Sequence, residues 1–131
     1  MKDMNYNLLR NALNASSMRQ EIISSNISNV NTDNYKMGQV QFESLLSQAN
    51  NSLKLEQTND LHIGFDDLSQ IDPLVTKRTD TAVKENGNNV DIDMEMAKLA
   101  ETQLIYNYGV RFGQGIFKKL NAAIQGKSIQ S

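Results

Sequence analysis

Residues 92–125 read IDMEMAKLAETQLIYNYGVRFGQGIFKKLNAAIQ and carry the clearest pattern of the chain. Mostly apolar residues recur there at alternating steps of four and three, which keeps them on one face of a helix. We therefore predict a long amphipathic helix over 93–125, which would span roughly 50 Å at 1.5 Å per residue. The seam consists of Ile92, Met96, Leu99, Gln103, Tyr106, Val110, Gly113, Phe117, Leu120 and Ile124.

The same helix carries a second apolar face, and a helix with two apolar faces is expected to contact more than one neighbour. Three glycines lie inside the pattern, although each costs about 1 kcal/mol relative to alanine in a helix. They indicate a close helix approach, a bend, or a weak helix that becomes ordered only on packing. The second face consists of Met94, Leu104, Ile105, Phe112 and Ile116, and the glycines are Gly109, Gly113 and Gly115.

The opposite end of the chain repeats the four-three spacing less cleanly and predicts a helix over 5–31. Ser16 and Gln20 interrupt its seam, so it is a poor coiled coil by itself. Two long helices at the two ends of a small chain meet only if the chain doubles back. The predicted fold is mainly α, with two long terminal helices packed antiparallel, as in a coiled coil, and an extended, short-β and partly flexible middle segment.

The middle, 35–82, is predicted to be extended. Val40 and Phe42 alternate with polar residues, as in a short strand. The stretch from Phe42 to Ala49 fits a helical turn or two equally well. This part of the chain has the weakest pattern, so the alternatives stay open.

A small hairpin is predicted over 83–92. Its turn is Asn86-Gly87, since both residue types accept the positive φ of a tight turn. The whole chain, 1–131, is interpreted as a single domain because its 131 residues match the usual size of one domain.

Composition limits the classes of function. Hydrophobic residues make up 39% and aromatic residues 6%, so the core is thin and neighbouring subunits could supply missing burial. The net charge of -2 gives no basic footprint for nucleic acid. No apolar run is long enough to span a membrane. The N-terminus lacks the charged and apolar regions of a secretory signal, so export by the general route is disfavoured.

No pattern of catalytic chemistry is found. His62 is the single histidine and has no nucleophile or carboxylate at a recognisable motif spacing. Residues 85–95 are rich in oxygen ligands, but Ala82 occupies a position where a calcium loop needs an acidic or amide side chain. We predict a protein that is not an enzyme, with no catalytic, metal or cofactor site and no nucleic-acid or small-molecule partner.

Residues 25–36, SNISNVNTDNYK, resemble the N-terminal signature of bacterial flagellar rod, hook and related axial proteins. That signature commonly has Pro-Gly where this chain has Asp33-Asn34, and Asn34 can supply the same positive φ. Residues 86–93 and 95–107 look like the C-terminal block of the FlgB family of proximal rod proteins, and residues 61–63 fit that family's middle. The matching signature residues are Asn26, Ile27, Asn29, Thr32, Tyr35 and Lys36.

The resemblance implies a structural subunit of the proximal rod, which polymerises through its terminal helices into a hollow drive shaft for motility. It implies export by the flagellum's own type III apparatus without a cleaved signal, and a location in the basal body of the cell envelope. The implied partners are other copies of the chain, other rod proteins, and ring or export-gate components. The alternatives are another axial rod protein and a non-flagellar helical adaptor.

Two sets of residues are candidates for a role in assembly. The first set is expected to pack within or between subunits, and the second set to fix the turn that leaves the first helix. The packing set is Leu9, Leu13, Ile23, Ile27, Leu99, Tyr106, Val110, Phe117 and Leu120, and the turn set is Asn26, Asn29, Thr32, Tyr35 and Lys36.

Overall fold

A computed structural model describes residues 2–56, 71–79 and 84–126 of the chain, with the side chains of 6–49, 71–79 and 84–126. Within these ranges the chain forms three helices and two short strands. In chain order they are α1 (Lys2–Ser28), β1 (Gly38–Gln41), α2 (Glu43–Glu56), β2 (Leu74–Lys77) and α3 (Ile92–Ile124).

The predicted pair of long terminal helices is confirmed. α1 packs along α3. The two helices run antiparallel, since the end of α1 contacts the start of α3 and the start of α1 contacts the later part of α3. Near one end of the pair, Asn26 of α1 binds Glu95 of α3 at 2.8 Å. Towards the other end, the Tyr6 and Phe117 rings meet edge to face, with centroids 6.0 Å apart. The predicted ranges of 5–31 and 93–125 agree with the observed helices to within three residues.

α3 begins at a strong cap. The Asp91 side chain accepts hydrogen bonds from the backbone N–H groups of Asp93 and Met94, at 3.0 and 3.2 Å. Such a cap satisfies donors that the first helical turn leaves unpaired. The helix ends at Ile124, and Gly126 follows with a φ of 63°, as is common for a glycine just beyond a helix.

Residues 43–56 form the 14-residue helix α2, so of the two alternatives left open for 42–49 the helical one is confirmed. The extended alternative is wrong for 43–56. The Phe42 carbonyl accepts from the Leu46 N–H at 2.9 Å and starts the helix. Ala49 is buried and Leu45 packs against the core. The burial of this face outweighs the weak helix propensity of Asn and Ser in the same segment.

β1 and β2 form a two-stranded antiparallel sheet, with Gly38 opposite Lys77 and Gln41 opposite Leu74. The hairpin predicted over 83–92 is not found in its described part, 84–91, which forms a turn without strands. Its side chains bind the loop after α1 instead of a partner strand.

The hydrophobic core lies on the side of α1 that is turned towards β1 and α2. A salt bridge from Arg19 to Glu43, at 2.7 Å, joins α1 to α2 at its edge. α3 takes no part in this cluster and contacts α1 along a separate face. The cluster consists of Ala15, Val40, Phe42, Ala49 and Ile71, with Leu8, Ala12, Met18, Ile22, Leu45 and Leu46 packed against it.

Candidate functional site

Asn26 in the last turns of α1 is the centre of a buried polar cluster. Its side-chain amide donates to the Gly38 carbonyl at 2.9 Å and to the Glu95 carboxylate at 2.8 Å. Its side-chain oxygen accepts from the Gly38 N–H at 2.8 Å and from the Tyr35 hydroxyl at 3.2 Å. One amide side chain therefore joins α1, β1 and α3 with every polar atom satisfied.

Glu95 completes this cluster from α3. It is 1% exposed, and Asn26 beside it is fully buried. Its second oxygen accepts from the Lys98 ammonium at 2.9 Å, one turn further along α3. A buried carboxylate needs such charge and hydrogen-bond partners, since burying it without them is very costly.

Asn88 binds the loop that leaves α1. Its side-chain amide donates to the carbonyls of Asn29 and Thr32, both at 2.8 Å. Its side-chain oxygen accepts from the Val90 N–H at 2.8 Å. Backbone groups that belong to no helix or strand are thus paired by a side chain.

Asn89 likewise pairs backbone groups that lie next to the two strands. Its side-chain oxygen accepts from the Met37 N–H at 2.7 Å, and its amide donates to the Arg78 carbonyl at 2.9 Å. Together, Asn88 and Asn89 hold the segment before α3 against the loop after α1. The start of α3 is therefore fixed by the exit of α1.

The structure places all five residues of the predicted turn set around this junction. Thr32 donates to the Asn29 side chain at 3.1 Å, and Lys36 donates to the Gly87 carbonyl at 2.8 Å. Asn34 has a φ of 57°, the positive value expected for it. The role of these residues in assembly remains a proposal.

The close approach between α1 and α3 depends on two glycines. A Cβ atom added at Gly109 would lie 2.8 Å from the Leu13 Cδ2, and one added at Gly113 would lie 3.3 Å from the Leu9 Cδ2. Leu13 thus fills a notch that a side chain at 109 would close, and Leu9 packs tightly against Gly113. Of the three readings of these glycines, close approach applies to Gly109 and Gly113, while Gly115 faces open space.

The packing set divides into three groups by burial. Ile23 is fully buried, and the second group is half-buried along the contact between the helices. The third group stays exposed although its spacing belongs to the seam. The half-buried residues are Leu9, Leu13, Ile27, Leu99 and Val110, and the exposed residues are Tyr106, Phe117 and Leu120.

A large apolar surface lies on the side of α3 that is turned away from α1. Its central side chains, Leu104, Tyr108 and Phe112, follow at steps of four and are 60%, 70% and 65% exposed. Large contiguous apolar patches on a soluble chain mark interaction sites. We call this surface the outer face, and it consists of Leu104, Ile105, Tyr108, Phe112 and Ile116.

The described part of the chain offers little for chemistry. One cavity, about 510 Å³, is an open cleft between α1 and α3 lined by Arg10, Asn14, Asp72 and neighbours. Across the described ranges, no three of the His, Asp and Glu side chains group as metal ligands would. No helix there is both long and apolar enough to span a membrane. His62 lies outside the described residues.

Sequence reasoning missed the roles of Asn88, Asn89 and Glu95. It placed the first two in a hairpin and Glu95 in the first turn of the predicted helix over 93–125. All three lie between the turn at Asn86-Gly87 and the first turn of α3, within the residues that carry the family resemblance. Tyr108 was missed because it lies on neither of the two stripes that the spacing defined.

Comparison with known proteins gives concordant matches. Residues 7–36 match the family described as flagella basal body rod protein. The flagellar basal body rod protein FlgB of Bacillus subtilis (strain 168) is 37% identical over 118 residues, covering 90% of this chain and 91% of that protein. FlgB of Borrelia hermsii is 34% identical over 131 residues, covering 94% and 97%. FlgB of Borreliella burgdorferi is 35% identical over 121 residues, covering 86% and 90%. The similarity therefore extends far beyond the signature.

Proposed function

We propose a mode of assembly for this chain, which belongs to the FlgB family of flagellar basal body rod proteins. It is accordingly a structural subunit of the rod in the flagellum basal body, and it serves motility. A rival role as a non-flagellar adaptor is not favoured by this membership. The relatives are named as rod components and not as enzymes, in keeping with a structural function.

The proposal is that the subunit polymerises through its terminal helices. The observation that carries it is the outer face, where Tyr108 is 70% and Phe112 is 65% exposed in the free chain. Burying a large apolar side chain contributes about 1.5–3 kcal/mol. Coverage of this face by neighbouring subunits would supply the burial that the thin core lacks.

A second apolar surface supports assembly into a tube. Phe117, Leu120 and Ile124 are exposed near the end of α3, and helical spacing places them on the face that carries Gly109 and Gly113. Because the outer face points elsewhere, the two surfaces can receive two different neighbours. A head-to-tail contact that does not close on itself produces a helical filament.

The finer parts of the proposal concern partners and export. We propose contacts with other copies, with other rod proteins and with ring or export-gate components of the basal body. Export through the flagellar type III apparatus without a cleaved signal belongs to the same proposal. These parts rest on the family alone.

The test is complementation of a strain that lacks the protein. Phe112→Asp and Tyr108→Asp place a charge on the outer face, and Asn107→Asp places the same charge on an exposed polar position of α3. We expect the first two variants to accumulate normally but to give no swimming and no rods in isolated basal bodies. Asn107→Asp should swim like the wild type.

Two outcomes would contradict the proposal. Normal swimming of the double variant Tyr108→Asp/Phe112→Asp would show that the outer face is not an assembly contact. Normal swimming of the deletion strain itself would favour the adaptor. Recovery of the variants with wild-type helical circular dichroism is the control for folding.

A further inference from the structure

The apolar contact between α1 and α3 repeats with the same step on both helices. Leu9 and Leu13 are four residues apart, and so are the glycines that they fill, Gly113 and Gly109. A slip by one turn, about 6 Å along the axis, would place Leu13 over Gly113. One of the two notches is therefore kept after such a slip, with Leu13 at Gly113, while Leu9 moves opposite Phe117.

The polar cluster at the other end of the pair has no such repeat. Among the described residues, Glu95 is the one buried carboxylate on α3, and Asn26 supplies the amide that binds it. Asn26 is also held by the Gly38 N–H and carbonyl of β1, so it cannot follow a slipping α3. A slip by one turn would leave one amide N–H of Asn26 and one carboxylate oxygen of Glu95 without their present partner.

We propose that the Asn26–Glu95 contact determines the register of the α1–α3 pair. A buried polar pair that selects one register among several apolar alternatives is the best attested use of such groups. Glu95 and Asn26 are positioning residues in this scheme. Packing of the leucines against the glycines brings the two helices close together. The Asn26–Glu95 pair then fixes their relative position along the axis.

The register decides which parts of α3 are available to other chains. A slip by one turn would change how far Leu120 and Ile124 extend past the first turns of α1. It would also separate the loop after α1 from Asn88. The inference concerns folding within one chain and stands whether or not the outer face is an assembly contact.

Disulfide trapping tests the proposal, because the chain has no cysteine of its own. Leu13→Cys with Gly109→Cys reports the observed register, and Leu13→Cys with Gly113→Cys reports the slipped one. Each pair is made in the full chain, in an otherwise wild-type background and in Asn26→Leu/Glu95→Leu. Intramolecular disulfide is measured by mass spectrometry after mild oxidation of dilute protein.

In the wild-type background we expect the first pair to form at least about tenfold more disulfide than the second. In Asn26→Leu/Glu95→Leu the slipped pair should rise to within about threefold of the first, since the rest of the apolar contact remains but the Asn26–Glu95 pair is gone. Thr102→Val is the matched control. Thr102 is buried in the same seam but donates only to the Lys98 carbonyl of its own helix, so its loss should leave the ratio unchanged.

A second pair of variants covers the case in which the double variant does not fold. Glu95→Gln keeps an oxygen that accepts from Asn26, and Glu95→Met has a similar length without that acceptor. The Gln variant should keep the wild-type disulfide ratio, and the Met variant should lose it. The proposal is overturned if the Met and Gln variants give the same ratio, or if the double leucine variant keeps the wild-type preference.

Discussion

At the scale of single residues, asparagine connects the fold more than any apolar side chain does. Asn26, Asn88 and Asn89 are buried, and each binds backbone groups far away in the chain. An amide offers donors and acceptors on a short, neutral side chain. It can therefore pair irregular backbone at a junction where three segments meet and no regular ladder exists.

Asn26→Ala should destabilise the chain much more than Asn29→Ala. The first substitution leaves buried groups of Gly38 and Glu95 unpaired, and we expect a loss of about 3 kcal/mol in the free energy of unfolding. Asn29 is half-buried and binds the nearby Ser25 carbonyl at 2.8 Å, so its loss should cost less than about 1 kcal/mol. Urea unfolding followed by circular dichroism measures both, and equal losses would contradict the central role of Asn26.

Gly87→Ala should lower the free energy of unfolding of the chain, and Gly115→Ala should raise it. Gly87 has a φ of 79°, and an added Cβ would collide with the Asn34 side chain, so we expect a loss of about 1–2 kcal/mol. Gly115 lies within α3 with open space around it, and alanine there should gain up to about 1 kcal/mol. Thermal unfolding of the two variants shows directly whether each is stabilised or destabilised. A Gly87→Ala variant that is more stable than the wild type would contradict the role given to the positive φ at Gly87.

At the scale of elements, sequence predicts what is periodic and local. The two terminal helices follow from a spacing that repeats over many turns, and the Asp91 cap follows from residue type. α2 was predicted only as one of two alternatives and only over 42–49, because its Asn and Ser residues resemble a loop and its apolar spacing is short. Its helical state depends on burial of Ala49 against α1 and β1, which no local pattern reveals.

The pairing of elements was predicted only in part. The two long helices can meet only if the chain doubles back, but spacing alone does not show which of their residues are in contact. Glu95 looks like an ordinary acidic residue of a first helical turn, and its burial depends on Asn26, which lies 69 residues earlier in the chain. Likewise β2 pairs with β1 across a long separation, whereas the turn at Asn86-Gly87 suggested a local hairpin.

Gly109→Leu should force α1 and α3 apart, whereas Gly115→Leu should be tolerated. The notch at Gly109 already holds Leu13, so a large side chain there overpacks the contact and should cost about 1–3 kcal/mol. At Gly115 the same side chain meets open space and improves helix propensity. Denaturant midpoints compare the two variants. Restoration of the Gly109→Leu midpoint by Leu13→Ala would identify the crowded pair, and equal midpoints for both leucine variants would contradict it.

At the scale of the whole molecule, burial is uneven. α1 is covered on one side by β1 and α2 and on another by α3, while α3 has α1 as its main support. The last turn of α3 also extends past the first residues of α1, given that Tyr6 meets Phe117. Within the described residues, the free subunit therefore has a well-packed centre and a weakly supported last turn of α3.

Amide hydrogen exchange should show this difference and its removal on assembly. In the free chain, 121–124 should exchange near the rate of unstructured peptide, because few tertiary contacts oppose fraying of that turn. Residues 99–110, which pack along α1, should exchange at least about a hundredfold more slowly. In rods isolated from cells, protection of 121–124 should rise towards that of 99–110 as neighbouring subunits cover Leu120 and Ile124. If 121–124 are already strongly protected in the dilute free chain, the end of α3 needs no neighbour, and its exposed side chains are not an unfilled contact.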